Sequence, residues 1–475
     1  MTQRAAPVSG RAMVPATVSA PCEDARAGRL RSSAFGRRMF IALAIGLIWL
    51  GPAWQNPRFI WALGAWDVAV LVVWLIDWRR LPSAGEISVS RRWTSILAQG
   101  EPHEVELEIT NASPVHLKVT LEDDVPSRLG GARPHFERWV RPLASERGTY
   151  SIRPLARGDA RLGKAHLRVS SPLELAEKWF RASIEQTVCV YPGMPESGRS
   201  LYLVRGRQRE LERKRPMRTG LGREFDSLRE FRQGDEQRDI CWTATARRAK
   251  LITKTYQAER SQSVFLVVDA GRLMQARILP PMGSSAPVQT KLDIAVSAAL
   301  AIARVALNTG DTVGLLAYGR RIQARLAPAR GPAQLRLLFE RLAVVEGEAP
   351  EARHLRAAEW LLEKRGRRSL LVWLTDVAES AGTPEVIEAA ARLLTHHLVL
   401  FAAIGQPDLD ELARRRPASI TAMYRHAAAV ELTTRRELFL RRLRQQGAMA
   451  FELAPGNLAS ALVNQYLLVK ERRLL

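Results

Sequence analysis

The rhythm of hydrophobic and polar positions changes several times along the chain. Residues 1–33 are rich in Ala, Pro, Ser and Arg and show no apolar periodicity, so they are expected to form a disordered cytosolic tail. Two apolar runs follow, Met39 to Trp54 and Phe59 to Trp78, joined by Gln55-Asn56-Pro57-Arg58. A membrane-spanning helix takes about 20 apolar residues. The second run meets that length, and the first needs Arg37 and Arg38 to snorkel at its start. Trp49, Trp54, Trp61, Trp74 and Trp78 lie near the run ends, where interfacial anchors sit. The prediction is a two-helix transmembrane hairpin over 37–80; a buried helical hairpin of a globular domain is the alternative. Asp67 inside the second run reads as a helix-contact or interface residue.

From 86 to 191 the period becomes two. Glu104 to Ile109, His116 to Leu121, Arg147 to Ile152 and Ala165 to Val169 alternate apolar with polar, separated by turns such as Asn111-Ala112-Ser113-Pro114 and Gly130-Gly131. This predicts an antiparallel β-sandwich of the immunoglobulin-like sort, without its Cys–Trp–Cys core. His103, His116, His135 and His166 are irregularly spaced and are expected to be surface or half-buried rather than metal ligands.

From 262 to 475 continuous apolar runs alternate with helical spacing. Strands are expected at Val264 to Val268, Thr312 to Tyr318, Ile322 to Leu326, Ser369 to Leu374, Leu398 to Ile404 and Ala448 to Leu453. Helices are expected over 292–306, 332–345, 352–364 and 457–472. The fold class is α/β, a doubly wound parallel sheet with helices on both faces. Ligand sites on such sheets lie at the carboxyl ends of strands. Asp269 and Asp376 fall at two such ends.

Composition narrows the function. The 475 residues carry 71 Lys+Arg against 48 Asp+Glu, a net charge of +23. The arginines are scattered along the chain, which argues against a concentrated nucleic-acid surface and for no specific nucleic acid as partner. Cys22, Cys189 and Cys241 are odd in number and far apart, which excludes a disulfide scaffold and suits a reducing compartment. Arginines flank the hairpin on both sides while its connector holds only Arg58, so both flanks are expected in the cytoplasm. Between the sandwich and the α/β domain, 192–261 holds the run Arg205 to Arg218 and then a mixed-charge stretch. Phe225, Leu228, Phe231, Ile240 and Trp242 are expected there as apolar anchors, in a segment laid over a domain surface by ion pairs.

Candidate chemistry is sparse. Cys241-Trp242 is similar to the nucleophile neighbourhood of transglutaminase-like enzymes, yet a cysteine nucleophile needs a histidine base. Nothing ties His396 or His397 to Cys241. No triad, acid–base carboxylate pair, zinc motif or phosphate loop is evident; Gly220-Leu221-Gly222 lacks the Lys-Ser/Thr of a Walker loop. The expectation is no enzyme.

Asp269 at a strand end and Leu374-Thr375-Asp376 at a later one resemble a von Willebrand factor type A domain. That resemblance implies a metal motif Asp-x-Ser-x-Ser. Here it reads Asp269-Ala270-Gly271-Arg272-Leu273, with both serines replaced. The expectation is no resident cofactor; a weak Mg²⁺ at Asp269 and Asp376 is the alternative. The region where the family's central Thr would fall is 346–355.

The chain also resembles the domain of unknown function 58 family from the hairpin to its end. The motif residues are Gly220, Gly222, Glu224, Phe225, Leu228, Arg229, Gly234, Asp235, Arg238 and Trp242, with Ser170 to Leu175, Gly310 to Leu316 and Arg368 to Val372 besides. The resemblance implies a membrane-tethered bacterial protein of the inner membrane, working with a MoxR-type AAA+ ATPase in assembling or activating other proteins. An adaptor that binds proteins at the strand-end rim is the leading expectation, with Asp269, Arg272 and Asp376 as contact residues. Metal-dependent binding and nonspecific binding to anionic lipid or nucleic acid are the alternatives. Arg272 is expected either to replace the ion as the positive group or simply to pair with a nearby acid.

Overall fold

The computed structural model describes residues 15–25, 33–131, 134–193, 219–232, 235, 237–257, 262–279, 288–363, 368–376, 383–472 and 474. The chain divides into two compact units, Met1–Gly193 and Met194–Leu475.

The first unit is an antiparallel sheet with a helical excursion. Its strands are β1 (Val18–Asp24), β2 (Ser33–Phe35), β3 (Ile87–Trp93), β4 (His103–Asn111), β5 (Leu117–Asp123), β6 (His135–Val140), β7 (Ala144–Ile152), β8 (Gly158–Leu162), β9 (Ala165–Ser170), β10 (Ala176–Ala182) and β11 (Gln186–Val190). Period-two alternation is visible in the burial of β4, whose Val105, Leu107 and Ile109 point inward. Leu107 and Ile109 meet Leu121, Leu167 and Phe180 in one core, while Val105 faces a second one over which β8 and β11 pair.

Three expectations are corrected here. Residues 18–24 are not a disordered tail: Val18 to Pro21 pair with β3, and Cys22 to Asp24 pair with β10. The strand thereby joins two halves into one sheet of order β6-β5-β9-β10-β1-β3-β4-β7, instead of the two separate sheets of a sandwich. Pro21 falls where pairing passes from one neighbour to the other, a position at which its missing N–H is tolerated. His103 is buried, not half-exposed: its Nε2 lies 2.9 Å from the Ala98 N–H and its Nδ1 3.0 Å from the Ser95 hydroxyl.

The excursion runs through α1 (Arg37–Gly46), a 3-10 turn, α2 (Leu50–Ala53) and α3 (Phe59–Arg80). Of the described helices, only α3 is long and apolar enough to cross a membrane. The two arms touch: Trp66 Nε1 donates to the Ala42 carbonyl at 2.9 Å, and Trp49 stacks on Phe59. Asp67 lies on the contact face, 3.4 Å from where a Cβ on Gly46 would stand. Both ends of the excursion are tied to β10. β2 pairs with it directly, the Ala176 N–H donates to Asp77 Oδ2 at 3.0 Å, and Lys178 donates to the Leu81 carbonyl at 2.7 Å.

In the second unit, β12 (Thr219–Glu230) pairs with β13 (Ile252–Gln257), with the short helix α4 (Trp242–Arg248) between them. The signature stretch is thus a strand pair with a helical connection. Its anchors differ from expectation, since Trp242 is two-thirds exposed, at 67%.

The main sheet follows, from β14 (Ser263–Asp269), β17 (Thr312–Tyr318), β18 (Ile322–Ala329), β19 (Leu370–Thr375), β20 (Leu398–Ile404) and β21 (Met449–Leu453), while β15 (Arg277–Ile278) and β16 (Gln289–Thr290) form a separate short pair. Its order is β18-β17-β14-β19-β20-β21, parallel except for β18. Helices α5 (Lys291–Asn308), α6 (Pro332–Ala343) and α11 (Leu458–Glu471) cover one face. Helices α7 (His354–Glu363), α8 (Thr383–Leu394) and α10 (Ile420–Gln445) cover the other. Alternate residues of β14 serve the two layers: Val264, Leu266 and Val268 face the first, Phe265 and Val267 the second. A further described helix, α9 (Pro407–Arg414), precedes α10. The sequence pattern had shown neither α8, α9 nor α10.

Candidate functional site

β14 and β19 are parallel neighbours, so their carboxyl ends bring Asp269 and Asp376 to the same rim. The Thr375 hydroxyl donates to Asp269 Oδ2 at 2.6 Å and links the two ends. Asp269 Oδ1 accepts the Gly271 N–H at 2.7 Å. Both oxygens of Asp269 are therefore engaged inside the fold, and burial pushes its carboxyl above the ordinary range.

Asp376 is held differently. Lys291 Nζ lies 2.6 Å from its Oδ2, and Arg436 Nη2 donates to its Oδ1. Lys291 also reaches the Ile404 carbonyl at 3.3 Å and Gln406 Oε1 at 3.4 Å; Arg436 Nη2 donates to the same carbonyl at 2.6 Å. Glu452 Oε1 lies 3.1 Å from Arg436 Nε. That pair is ionic by distance, but the Nε–H is not aimed at the oxygen. Lys291 opens α5 between Thr290 and Asp293, whose side chains cap one another's backbone N–H groups. A cation at a helix amino terminus opposes the helix dipole. Burial adds to this and lowers the Lys291 ammonium's affinity for its proton, while the Asp376 carboxylate acts against the fall.

The metal that a type A resemblance implies does not fit these residues. A hard divalent ion needs several free oxygens. Here the oxygens of Asp269 accept internal hydrogen bonds, those of Asp376 face two cations, and Gly271 and Leu273 bring no side-chain oxygen. Among the described residues no group of three or more His, Cys, Asp or Glu side chains is arranged to hold a metal.

Of the expected contact residues, Asp269 and Asp376 are buried and committed internally, so neither carboxylate is presented to a partner. Arg272 does not take the ion's place. It is exposed and pairs with Glu351 at 3.2 Å. The groups that take that place are Lys291 and Arg436, which the sequence reading did not single out. A lysine at the first position of a helix, next to an incomplete metal motif, is the one signal that could have found Lys291.

The loop over the rim is fixed to the strand ends. The Glu348 N–H donates to the Ala270 carbonyl at 2.7 Å, Arg272 N–H to Pro350 at 3.1 Å, and Arg353 N–H to Gly319 at 3.0 Å. Beneath it, Trp373 Nε1 donates to the Tyr318 hydroxyl at 2.7 Å, which lies 3.0 Å from His354 Nδ1.

The signature residues lie elsewhere in the unit. Gly220, Gly222, Glu224, Phe225, Leu228 and Arg229 run along β12. Asp235 accepts from Arg229 Nη2 at 2.6 Å and from the Arg232 N–H at 2.9 Å, which holds its carboxyl below the usual range. Gly234, the side chain of Arg238 and the run 205–218 lie outside the described residues. Cys241 Sγ sits 3.4 Å from the Thr243 hydroxyl; His396 hydrogen-bonds Thr395, and His397 accepts from Ser369.

These features define an α/β chain whose strand-end carboxylate is neutralised from within. Residues 227–444 match the family model described as "Protein of unknown function DUF58". The chain is 28% identical over 123 residues to "Uncharacterized protein YeaD" of Bacillus subtilis (strain 168), covering 26% of this chain and 30% of that protein. It thus spans less than a third of the length of that relative. Among solved structures, the conserved hypothetical protein BatB from Bacteroides thetaiotaomicron is 14% identical with a TM-score of 0.28, covering 45% of this chain and all of that one. The SpRpn10 VWA domain is 15% identical with a TM-score of 0.25, covering 43% of this chain and 95% of that one.

Proposed function

We propose that this chain is a membrane-tethered cytoplasmic adaptor that binds protein partners at the strand-end rim without a metal ion. It works with a MoxR-type AAA+ ATPase in the assembly or activation of other proteins, and it carries out no chemistry of its own. The observation behind the metal-independent part is Asp376, neutralised by Lys291 and Arg436. A rim whose charge is balanced by side chains needs no ion to hold its shape.

The membrane part rests on the excursion between β2 and β3. Its ends are both tied to β10, so whatever it enters, it leaves on the side where it began. The apolar α3 and the arm of α1 and α2 against it form a hairpin in the bilayer, with Trp54 and Trp61 exposed near its turn. The arginines on both flanks keep the bulk of the chain in the cytoplasm.

The test is capture by the full-length chain, solubilised in detergent, from its own cell lysate, with and without EDTA, and mass spectrometry of what is retained. Full length is required because a fragment that starts after the hairpin lacks β1. An AAA+ ATPase retained equally in EDTA supports the reading. An ATPase lost in EDTA, with the bait folded and the ATPase's own nucleotide metal controlled for, returns metal-dependent binding. Retention of lipid or RNA alone rejects the adaptor.

A further inference from the structure

Next to the rim, the β17–β18 turn and the loop leading into α7 enclose an open cavity of about 610 Å³. Four arginines line it, Arg320 and Arg321 from the turn, Arg353 and Arg356 from the start of the helix, with Glu348 and Pro350 between them. Glu348 is the one acid among the lining residues. Its carboxylate is already engaged by the Arg320 backbone N–H at 2.7 Å and by Gln323 Nε2 at 3.1 Å, with Arg321 Nε at 3.5 Å. Among the described residues, no carboxylate pairs with the side chain of Arg320, Arg353 or Arg356. Three unpaired guanidinium groups therefore surround one concavity from two elements, and the elements are fixed by the Arg353 N–H to Gly319 hydrogen bond.

Guanidinium forks match the two oxygens of a carboxylate. A cavity of this volume admits a few side chains rather than a flat surface. Its lining holds Ala349 and Pro350 but no aromatic ring on which a base would stack, which disfavours single-stranded nucleic acid. We propose that this arginine cavity binds an acidic segment of a protein partner, with neighbouring Asp or Glu carboxylates entering between the turn and the helix. The inference rests on the adaptor reading and names the contact surface and the charge of what docks there. It also places the contact away from Asp269 and Asp376, on a loop in the region where the type A resemblance locates a metal-binding Thr.

The test is fluorescence anisotropy with the full-length chain in neutral detergent at near-physiological salt. The probe is a labelled ten-residue peptide of alternating Glu and Asp; its Gln/Asn counterpart is the control. The acidic peptide binds and the neutral one does not. Arg353→Ala with Arg356→Ala weakens binding by about tenfold or more. Arg353→Lys with Arg356→Lys keeps the charge but loses the forks and falls in between. Arg414→Ala with Arg415→Ala removes the same charge from α9 and its end, and shifts binding by less than about twofold. Equal loss in the α9 pair, or none in the cavity pair with circular dichroism unchanged, overturns the proposal. So does displacement of the peptide by sodium pyrophosphate or polyuridylate at lower charge equivalents, which would assign the cavity to phosphate. The adaptor reading is separated by repeating the lysate capture with the cavity pair. An ATPase retained by that variant as well as by the wild type rejects the cavity alone. A peptide bound with no ATPase captured rejects the adaptor alone.

Discussion

Lys291 and Asp376 form a buried ion pair at 2.6 Å across the rim of the parallel sheet, with the lysine side chain fully enclosed. One comes from the first position of a helix and the other from just beyond a strand, so the pair locks α5 onto the end of β19. Arg436 on α10 adds a second cation from the opposite face. The cluster thus clamps both helical layers to one carboxylate.

Breaking that clamp by removing one partner leaves uncompensated charge in the interior. Asp376→Asn leaves the buried Lys291 without its paired carboxylate and Arg436 with Glu452 alone, and destabilisation of about 3–5 kcal/mol is expected. Lys291→Met removes one cation of two and costs less. Urea denaturation checks both, and the double variant shows coupling, with a loss smaller than the sum of the singles.

Stability also depends on pH through Asp269. Burial raises its folded value above that of the unfolded chain, about 3.9. The native state then holds the proton more tightly, so stability declines as pH rises from about 4 through the folded value. Asp269→Asn removes this part of the slope. Denaturation midpoints of the two proteins from pH 4 to 7 should converge at the acid end; parallel curves reject the assignment.

At the root of the helical excursion, a Cβ on Gly36 would stand 2.0 Å from the Glu174 carbonyl oxygen. The backbone there is also fixed by the Gly36 N–H to Leu175 carbonyl bond at 2.8 Å. Gly36→Ala therefore forces β2 away from β10, at a cost of about 1–3 kcal/mol. A lower melting temperature in detergent, together with earlier tryptic cleavage near the root, is the expected result.

The thiols should react in a set order. Burial pushes the Cys22 thiol up to about 12, whereas the Thr243 hydroxyl beside Cys241 lowers that thiol. Iodoacetamide at pH 8 alkylates Cys241 first and reaches Cys22 only in denaturant. Mass spectrometry of the native protein that finds Cys22 modified early would place β1 outside the sheet.

If the excursion is a bilayer hairpin, its turn lies across the membrane from the cysteines. Asn56→Cys should be labelled by an impermeant maleimide in intact cells, while Cys241 stays unlabelled until lysis. Labelling of neither in intact cells, with both reacting after lysis, would leave the hairpin as part of a soluble fold.

Much of the fold was legible because burial leaves a periodic trace. Thr312–Tyr318 and Leu398–Ile404 are strands over the same limits that their apolar runs mark. β1 escaped because its inward residues include small ones, Ala20 and Cys22, and a proline interrupts it. Only five residues of α10 are buried along its 26, so its apolar pattern is diluted. The rim carboxylates were visible as residues at strand ends, but their role was not. Whether Arg436 meets Asp376 or solvent depends on how a helix crosses the sheet, and a run of arginines and leucines does not encode that locally.

The position of β1 sets an order of assembly. Cys22 emerges from the ribosome before the hairpin, yet its partner Ala182 emerges long after it. The half of β1 that pairs with β3 finds its partner once the hairpin is made, but the half that pairs with β10 waits while β4 to β9 collect. Closing so distant a pairing is slow. Removal of β1 consequently acts on a seam of the first unit that closes late.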